Sequence, residues 1–151
     1  MENGTNGGSP PGFRLCALTG DQVALIRSTF HALDPTPQIA DRFYEILFEI
    51  APDLRALFRP DMSGQGMRFM STLAVIVQHL DQPEELAPYV ERLAQGHAAY
   101  GVRPEHFQPM GVALIRTMQE ALGPDFPPGA AEAWTAAYAR LAGEMIVQMR
   151  G

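Results

Sequence analysis

One histidine of this chain stands where a side chain could bind a metal. The segment LAQGHAAYGV (residues 93–102) is predicted to be the end of a helix, and it carries His97 in its last turn. A neutral imidazole binds a metal through one ring nitrogen, while the other donates a hydrogen bond, most simply to a carbonyl one turn earlier. Taken alone, a histidine on a helix is more often a surface or packing residue, so its position does not by itself establish a ligand.

A tyrosine and a glutamine upstream could supply hydrogen bonds to a polar ligand. Tyr44 follows Phe43 in a predicted helix, and Gln65, Phe69 and Leu73 repeat every four residues, so the last three share one helix face. A phenol and an amide are both donors, and their hydrogen bonds strengthen in a site that holds little water. The alternatives are that Gln65 is exposed near a helix start and that Tyr44 packs in the core with its hydroxyl at the surface.

Helices must position these side chains, and the sequence predicts no other kind of element. Apolar residues recur at helical spacing along most of the chain, and neither a strand pattern nor an internal repeat is present. Thr19 with Gln22 forms a predicted capping box for the first helix, and Ser63 is the predicted N-cap of a later one. Gly101 stands where the left-handed end of the His97 helix favours glycine.

Length and composition indicate one globular domain with an N-terminal extension. The chain has 151 residues, of which 46% are apolar, enough for a sizeable core over residues 17–151. Residues 1–16 are rich in Gly, Asn, Ser and Pro. They are predicted to be flexible because they offer too little apolar surface to offset the entropy of ordering. Cys16 is the single cysteine, so no internal disulfide is expected.

Charge and hydropathy argue against several classes of partner. The net charge of −6 comes from 17 acidic and 11 basic residues. This balance argues against a nucleic-acid-binding surface, which needs a basic stripe. No apolar run approaches the roughly 20 residues of a membrane span. The N-terminus also lacks the basic and apolar stretches of a secretory signal. We therefore expect a cytoplasmic protein that binds neither nucleic acid nor a membrane.

Taken together, these residues resemble a bacterial single-domain globin, a family related to the globin domain of flavohaemoglobins. The resemblance covers about residues 17–149 and rests most on His-x-x-Tyr-Gly-Val, followed by Pro-Glu-His-Phe and an apolar helix. It implies an all-α globin fold of about seven to eight helices that sandwich a haem b (iron protoporphyrin IX). It implies His97 as the proximal ligand of the haem iron, opposite Tyr44 and Gln65 as the distal pair. The further cofactor contacts that it implies are Phe58, Arg68, Phe69, Val102 and Phe107.

The resemblance gives several of these residues a specific role. Phe58 resembles the ring that packs against the edge of the haem, and Val102 resembles an apolar contact just after the proximal helix. Arg68 lies near where family members place a basic residue over a haem propionate, although a solvated arginine is the alternative. Phe69 stands where smaller aliphatic residues are usual, and its ring could either narrow the pocket or serve only as core filler.

Two positions depart from the flavohaemoglobin pattern on the proximal side. Those proteins hydrogen-bond the proximal histidine to a tyrosine and a glutamate, which makes it a more electron-rich ligand and promotes O–O cleavage. Here Phe107 and Met149 stand at these two positions, and neither can accept a proton from imidazole. The resemblance therefore argues against peroxidase-like chemistry.

The resemblance implies reversible binding of dioxygen at ferrous haem, with CO and NO as further ligands. The alternative function is an enzyme that carries out nitric oxide dioxygenation, which oxidises the iron in each turnover and requires its re-reduction. Because the chain ends at Gly151, we expect no flavin and NAD domains, so this alternative needs an external reductase as a partner. A haem-based sensor and a cofactor-free helical interaction module are less favoured.

Overall fold

The computed structural model describes residues 18–33, 37–58 and 64–150. Within these ranges lie six α-helices and three short 3₁₀ helices, with no strand. The α-helices are α1 (Gly20–Leu33), α2 (Pro37–Ile50), α3 (Gln65–Gln78), α4 (Pro83–Ala99), α5 (Phe107–Leu122) and α6 (Pro128–Arg150). The 3₁₀ helices span Pro52–Leu57, Pro104–His106 and Gly123–Asp125. The prediction of an all-α fold is confirmed. None of the helices in the described ranges is long and apolar enough to span a bilayer.

Some sequence predictions fall outside the part of the chain that the structure describes. The extension over residues 1–16 is one of them, and Cys16 and Ser63 are others. The residue directly before α3 is Gly64, whose φ of 77° lies in the left-handed region that glycine adopts without strain.

The start of α1 confirms the predicted capping box. The Gln22 N–H donates to Thr19 Oγ1, and the Thr19 N–H donates to Gln22 Oε1, each at 3.0 Å. The reciprocal pair satisfies two donors at a point where a helix leaves its first N–H groups unpaired. The Val23 N–H then donates to the Thr19 carbonyl oxygen at 3.0 Å, which begins the helical ladder.

The core is apolar, and the two buried threonines inside it are hydrogen-bonded, whereas Oε2 of the buried Glu144 has no hydrogen-bond partner among the described residues. Thr29 Oγ1 donates to the Leu25 carbonyl oxygen at 2.7 Å and accepts a hydrogen bond from Trp134 Nε1 at 2.8 Å, which ties α1 to α6. Thr117 Oγ1 donates to the Ala113 carbonyl oxygen at 2.7 Å within α5. These bonds avoid the cost of burying an unpaired polar group. The largest fully buried apolar side chains are Ile26, Ile46, Leu47, Leu54, Leu86, Val90 and Met118.

The helix that carries Gln65, α3, and the helix that carries His97, α4, pack against different partners. α2 packs against α3 and α5, and α6 packs against α1, α4 and α5. Although α3 and α4 are consecutive, α3 makes its main contacts with α1 and α2, while α4 makes its main contacts with α6. The helices that carry Gln65 and His97 thus pack mainly against different neighbours.

Candidate functional site

The imidazole of His97 is oriented by a hydrogen bond within its own helix. His97 Nδ1 lies 2.6 Å from the Leu93 carbonyl oxygen, one turn earlier in α4, and this is the kind of partner that the sequence predicts. A carbonyl oxygen can only accept, so Nδ1 carries the proton of the neutral ring. The lone pair of Nε2 is then left for another partner, which is the arrangement of a metal-binding histidine.

The other three histidines differ from His97 in the surroundings of their ring nitrogens. His79 makes the same kind of bond within its helix, from Nδ1 to the Val75 carbonyl oxygen at 2.9 Å, but its Nε2 lies 3.6 Å from a carboxylate oxygen of Glu85. His106 uses Nδ1 as an acceptor for the Arg103 N–H at 2.9 Å, which caps the short 3₁₀ helix before α5. His31 is exposed near the end of α1. Their geometry favours His97 as the candidate ligand.

The end of α4 forms a Schellman motif that fixes the backbone next to His97. Gly101 has a φ of 86°, and its N–H donates to the Ala98 carbonyl oxygen at 3.0 Å. The N–H of Val102 donates to the His97 carbonyl oxygen, also at 3.0 Å. This 6→1 and 5→2 pair of bonds terminates a helix at a left-handed residue. The predicted left-handed glycine is confirmed, and the buried Val102 is joined directly to His97.

Phe107 packs beside the His97 ring, and Tyr138 holds Phe107 in place. The buried ring of Phe107 lies 5.6 Å from that of His97, measured between centroids, at an angle of 35°. Tyr138 donates its hydroxyl to the Phe107 carbonyl oxygen at 2.7 Å, which holds the start of α5 against α6. Gly111 permits this approach, because a Cβ there would lie 2.7 Å from the Tyr138 ring.

Tyr44, Gln65 and Arg68 form a chain of hydrogen bonds between α2 and α3. Gln65 Nε2 donates to the Tyr44 hydroxyl oxygen at 3.2 Å, and Arg68 Nη2 donates to Gln65 Oε1 at 2.9 Å. Burial raises the pKa of Tyr44 above its ordinary value, an effect that the Gln65 hydrogen bond and the Arg68 charge partly oppose. Tyr44 is therefore a neutral phenol that keeps its own proton available.

Four phenylalanines surround the Tyr44 ring. The centroids of Phe43, Phe48, Phe58 and Phe69 lie 5.1, 6.1, 5.4 and 6.0 Å from that of Tyr44. Phe69 stacks on Phe43 at 4.7 Å, with 13° between the ring planes. The phenol of Tyr44 is thus enclosed by hydrocarbon on several sides.

The predicted site residues fall into two sets. Tyr44, Gln65, Arg68, Phe58 and Phe69 come together on α2, α3 and the end of the first 3₁₀ helix. His97, Val102 and Phe107 come together where α4 meets α5. Within the described residues, no hydrogen bond or ring contact joins the two sets.

The residues present fit a haem. Several apolar side chains of the Tyr44 set and of residues near the two sets in sequence are only partly buried, and they are Leu57, Phe58, Phe69, Leu73 and Leu93. A planar, largely apolar group would remove this surface from water, which is favourable. Within the described residues, Nε2 of His97 could bind the metal of such a group, and Tyr44 and Gln65 carry donors that could serve a ligand.

Sequence reasoning missed Phe48, which local spacing could have indicated. Phe48 stands four residues after Tyr44, and this spacing brings side chains together on a helix. Arg68 was expected near a haem propionate, but its hydrogen bond to Gln65 was not predicted. The stacking of Phe43 on Phe69 carries no such signal, because it joins residues of two different helices.

Comparison with known proteins identifies the family to which these features belong. The sequence model of the Globin family matches residues 41–145. The chain is 34% identical over 130 residues to a flavohemoprotein of Vibrio cholerae, a match that covers 83% of this chain and 33% of that protein. A flavohemoprotein of Deinococcus radiodurans is 34% identical over 133 residues, covering 85% and 33%. The chain thus spans about a third of the length of these relatives.

Solved structures show the same fold. A bacterial globin from Campylobacter jejuni superposes with a TM-score of 0.78 at 22% identity, covering 87% of this chain and 96% of that one. An engineered carbene transferase, made from a proposed nitric oxide dioxygenase of Rhodothermus marinus, superposes with a TM-score of 0.79 at 28% identity, covering 88% and 94%. The predicted globin fold is therefore confirmed, and by its sequence model, its relatives and its fold this chain belongs to the globin family.

Proposed function

We propose that this globin holds haem b through His97 and reversibly binds dioxygen, with CO and NO as further ligands. The observation that carries the proposal is the bond between His97 Nδ1 and the Leu93 carbonyl oxygen, since it leaves Nε2 free to bind iron. Phe58, Phe69, Val102 and Phe107 would contact the haem, and Arg68 would lie near a propionate. Ferrous haem supplies the gas-binding chemistry when it is bound.

Tyr44 and Gln65 would stabilise the bound gas. A gas ligand that carried partial negative charge would accept hydrogen bonds from both side chains, which can donate from an apolar setting. A hydrogen bond to a charged group contributes roughly 1.5–3 kcal/mol. Because about 1.4 kcal/mol corresponds to a tenfold change in affinity, one such donor would slow dissociation about ten- to hundredfold.

The proximal side favours binding over cleavage of the O–O bond. The Nδ1 partner of His97 is a neutral backbone carbonyl, and the ring beside it is the hydrocarbon of Phe107. Met149, partly buried against the core, likewise offers no carboxylate. When the Nδ1–H group donates to a neutral carbonyl, the imidazole is a less electron-rich ligand than when it donates to a carboxylate.

The second candidate function is nitric oxide dioxygenation with an external reductase. It is supported by the similarity to the Rhodothermus marinus protein, which is described as a proposed nitric oxide dioxygenase. Oxygenated protein mixed with nitric oxide in a stopped-flow instrument would yield nitrate once per haem. Sustained nitrate formation would occur only when a reductase and its electron donor are added. For a protein that only carries gas, their addition would not produce sustained nitrate formation.

The absorption spectrum of the purified ferrous protein, with and without O₂ and CO, tests the principal proposal. We expect a haem spectrum that changes reversibly with each gas. His97→Ala should lose most of its haem, because the single bond from the protein to iron is removed. His79→Ala and His106→Ala are the matched controls and should retain it. A colourless wild-type protein that takes up no haem, or a normal spectrum for His97→Ala, would contradict the proposal.

A further inference from the structure

We infer that Arg68 is a positioning residue that fixes which end of the Gln65 side-chain amide faces Tyr44. The inference rests on the proposed function, because it concerns the side of the molecule where the gas would bind. It adds to the propionate contact proposed for Arg68, since a guanidinium has five N–H donors and can serve two partners.

The contact depends on local geometry at the start of α3. Gln65 and Arg68 are three residues apart, so their side chains lie on the same face of the helix. Arg68 Nη2 reaches Gln65 Oε1 at 2.9 Å. The guanidinium also lies across Gly64, where a Cβ would stand 3.2 Å from Nη1, so the missing side chain gives it room.

A guanidinium can hydrogen-bond only to the oxygen of a side-chain amide, not to its NH₂ group. The oxygen and the NH₂ group of glutamine are nearly equal in size, and a half-turn of the amide exchanges them. Because arginine has donors and no acceptor, it stabilises the orientation in which Oε1 points towards it. Nε2 is then directed to the Tyr44 hydroxyl oxygen, as the 3.2 Å hydrogen bond shows.

The orientation of Gln65 decides what Tyr44 can do. With Nε2 towards it, the Tyr44 oxygen accepts a hydrogen bond and its own proton stays free for a bound gas. With the amide reversed, Tyr44 would donate that proton to Gln65 Oε1, and the gas would lose both donors. The order Arg68, Gln65, Tyr44 is therefore a chain in which each group donates to the next, and the cation at its start polarises the bonds that follow.

Arg68→Met, which keeps an unbranched apolar stem and removes the donors, tests this arrangement. In the ferrous haem-loaded protein we expect oxygen to dissociate about two- to tenfold faster, the effect of one ordinary hydrogen bond. The infrared stretching band of bound CO should move to higher wavenumber and broaden, because fewer donors face the ligand and the amide adopts both orientations. Arg68→Lys, which also carries only donors, should restore much of the wild-type band.

Two further variants separate this role from other effects of the arginine. Arg92→Met removes one positive charge from α4, where Arg92 lies over Tyr89 at 4.7 Å, and should change neither rate nor band. In a Gln65→Leu background, Arg68→Met should have no additional effect. The inference fails if Arg68→Met leaves both readouts unchanged, or if its effect is as large without Gln65. Failure of the wild-type protein to bind haem or oxygen would refute the proposed function instead.

Discussion

The Phe69 ring limits the space beside Tyr44, on the side proposed for gas binding. Its ring stacks on Phe43 at 4.7 Å and lies 6.0 Å from the Tyr44 ring. Phe69→Leu would replace this ring with a smaller side chain. We expect the association rate of a bulky ligand such as ethyl isocyanide to rise about tenfold, because one methylene group in an apolar pocket is worth roughly that factor. The CO association rate should change much less, and flash photolysis measures both.

A matched substitution shows whether the effect is local. Phe30 is also a half-buried phenylalanine, but its ring lies against Trp134, at 6.4 Å between centroids. Phe30→Leu should leave both association rates as they are. Equal changes for CO and the isocyanide in Phe69→Leu would mean that Phe69 only fills the core.

The contacts of a single side chain could be predicted where its partner is close in sequence or belongs to a known motif. The partner of His97 Nδ1 is a carbonyl one turn away, so α-helical geometry alone predicts it. The meeting of Tyr44 with Gln65, 21 residues apart, followed only from the resemblance to globins. The orientation of the Gln65 amide could not be predicted, because it depends on a side-chain rotamer of Arg68 that periodicity does not specify.

Gly101 is the residue on which the end of α4 depends. Its φ of 86° lies in the left-handed region, which costs an L-residue with a Cβ about 1 kcal/mol. A Cβ there would lie 3.6 Å from Leu57 Cδ2, an ordinary contact, so the strain would be in the backbone. Gly101→Ala should therefore lower the free energy of unfolding by about 1 kcal/mol, measured by urea denaturation with circular dichroism. It should also speed haem loss, because the same turn carries His97.

The control for this element is a second glycine of α4. Gly96 lies inside the helix, and a Cβ there would meet nothing within 4 Å. Gly96→Ala should raise the free energy of unfolding by up to about 1 kcal/mol, because alanine is the better helix former. If both substitutions shifted stability in the same direction, left-handed strain at Gly101 would not be the cause of its effect.

Helix boundaries were more predictable than helix packing. Proline and glycine mark the ends of elements locally: α4 begins at Pro83, and the predicted left-handed Gly101 follows its end. The pairing of α2 with α5 and of α4 with α6 could not be predicted from periodicity, since an apolar stripe does not specify which helix covers it. The globin resemblance supplied that arrangement.

Two buried phenols make the stability of the folded protein depend on alkaline pH. Burial raises the pKa of both Tyr44 and Tyr138 above the ordinary value of about 10. The folded protein therefore keeps both protons at a pH where the unfolded chain has lost them. The stability that this contributes is fully present below pH 10 and is lost as the pH rises towards the folded-state pKa values. The chain contains no lysine, so few other side chains titrate in this window.

The free energy of unfolding should accordingly be nearly level from pH 8 to 9.5 and fall above pH 10. The expected slope is up to about 1.4 kcal/mol per pH unit for each buried phenol. Tyr138→Phe should lower stability at pH 8 by about 1 kcal/mol, because the Phe107 carbonyl loses its donor, and should roughly halve the slope. Tyr100→Phe, which alters a residue that is 59% exposed, should keep the wild-type slope. Denaturant titrations at half-unit pH intervals distinguish these outcomes. An unchanged slope in Tyr138→Phe would mean that the alkaline loss of stability arises elsewhere in the molecule.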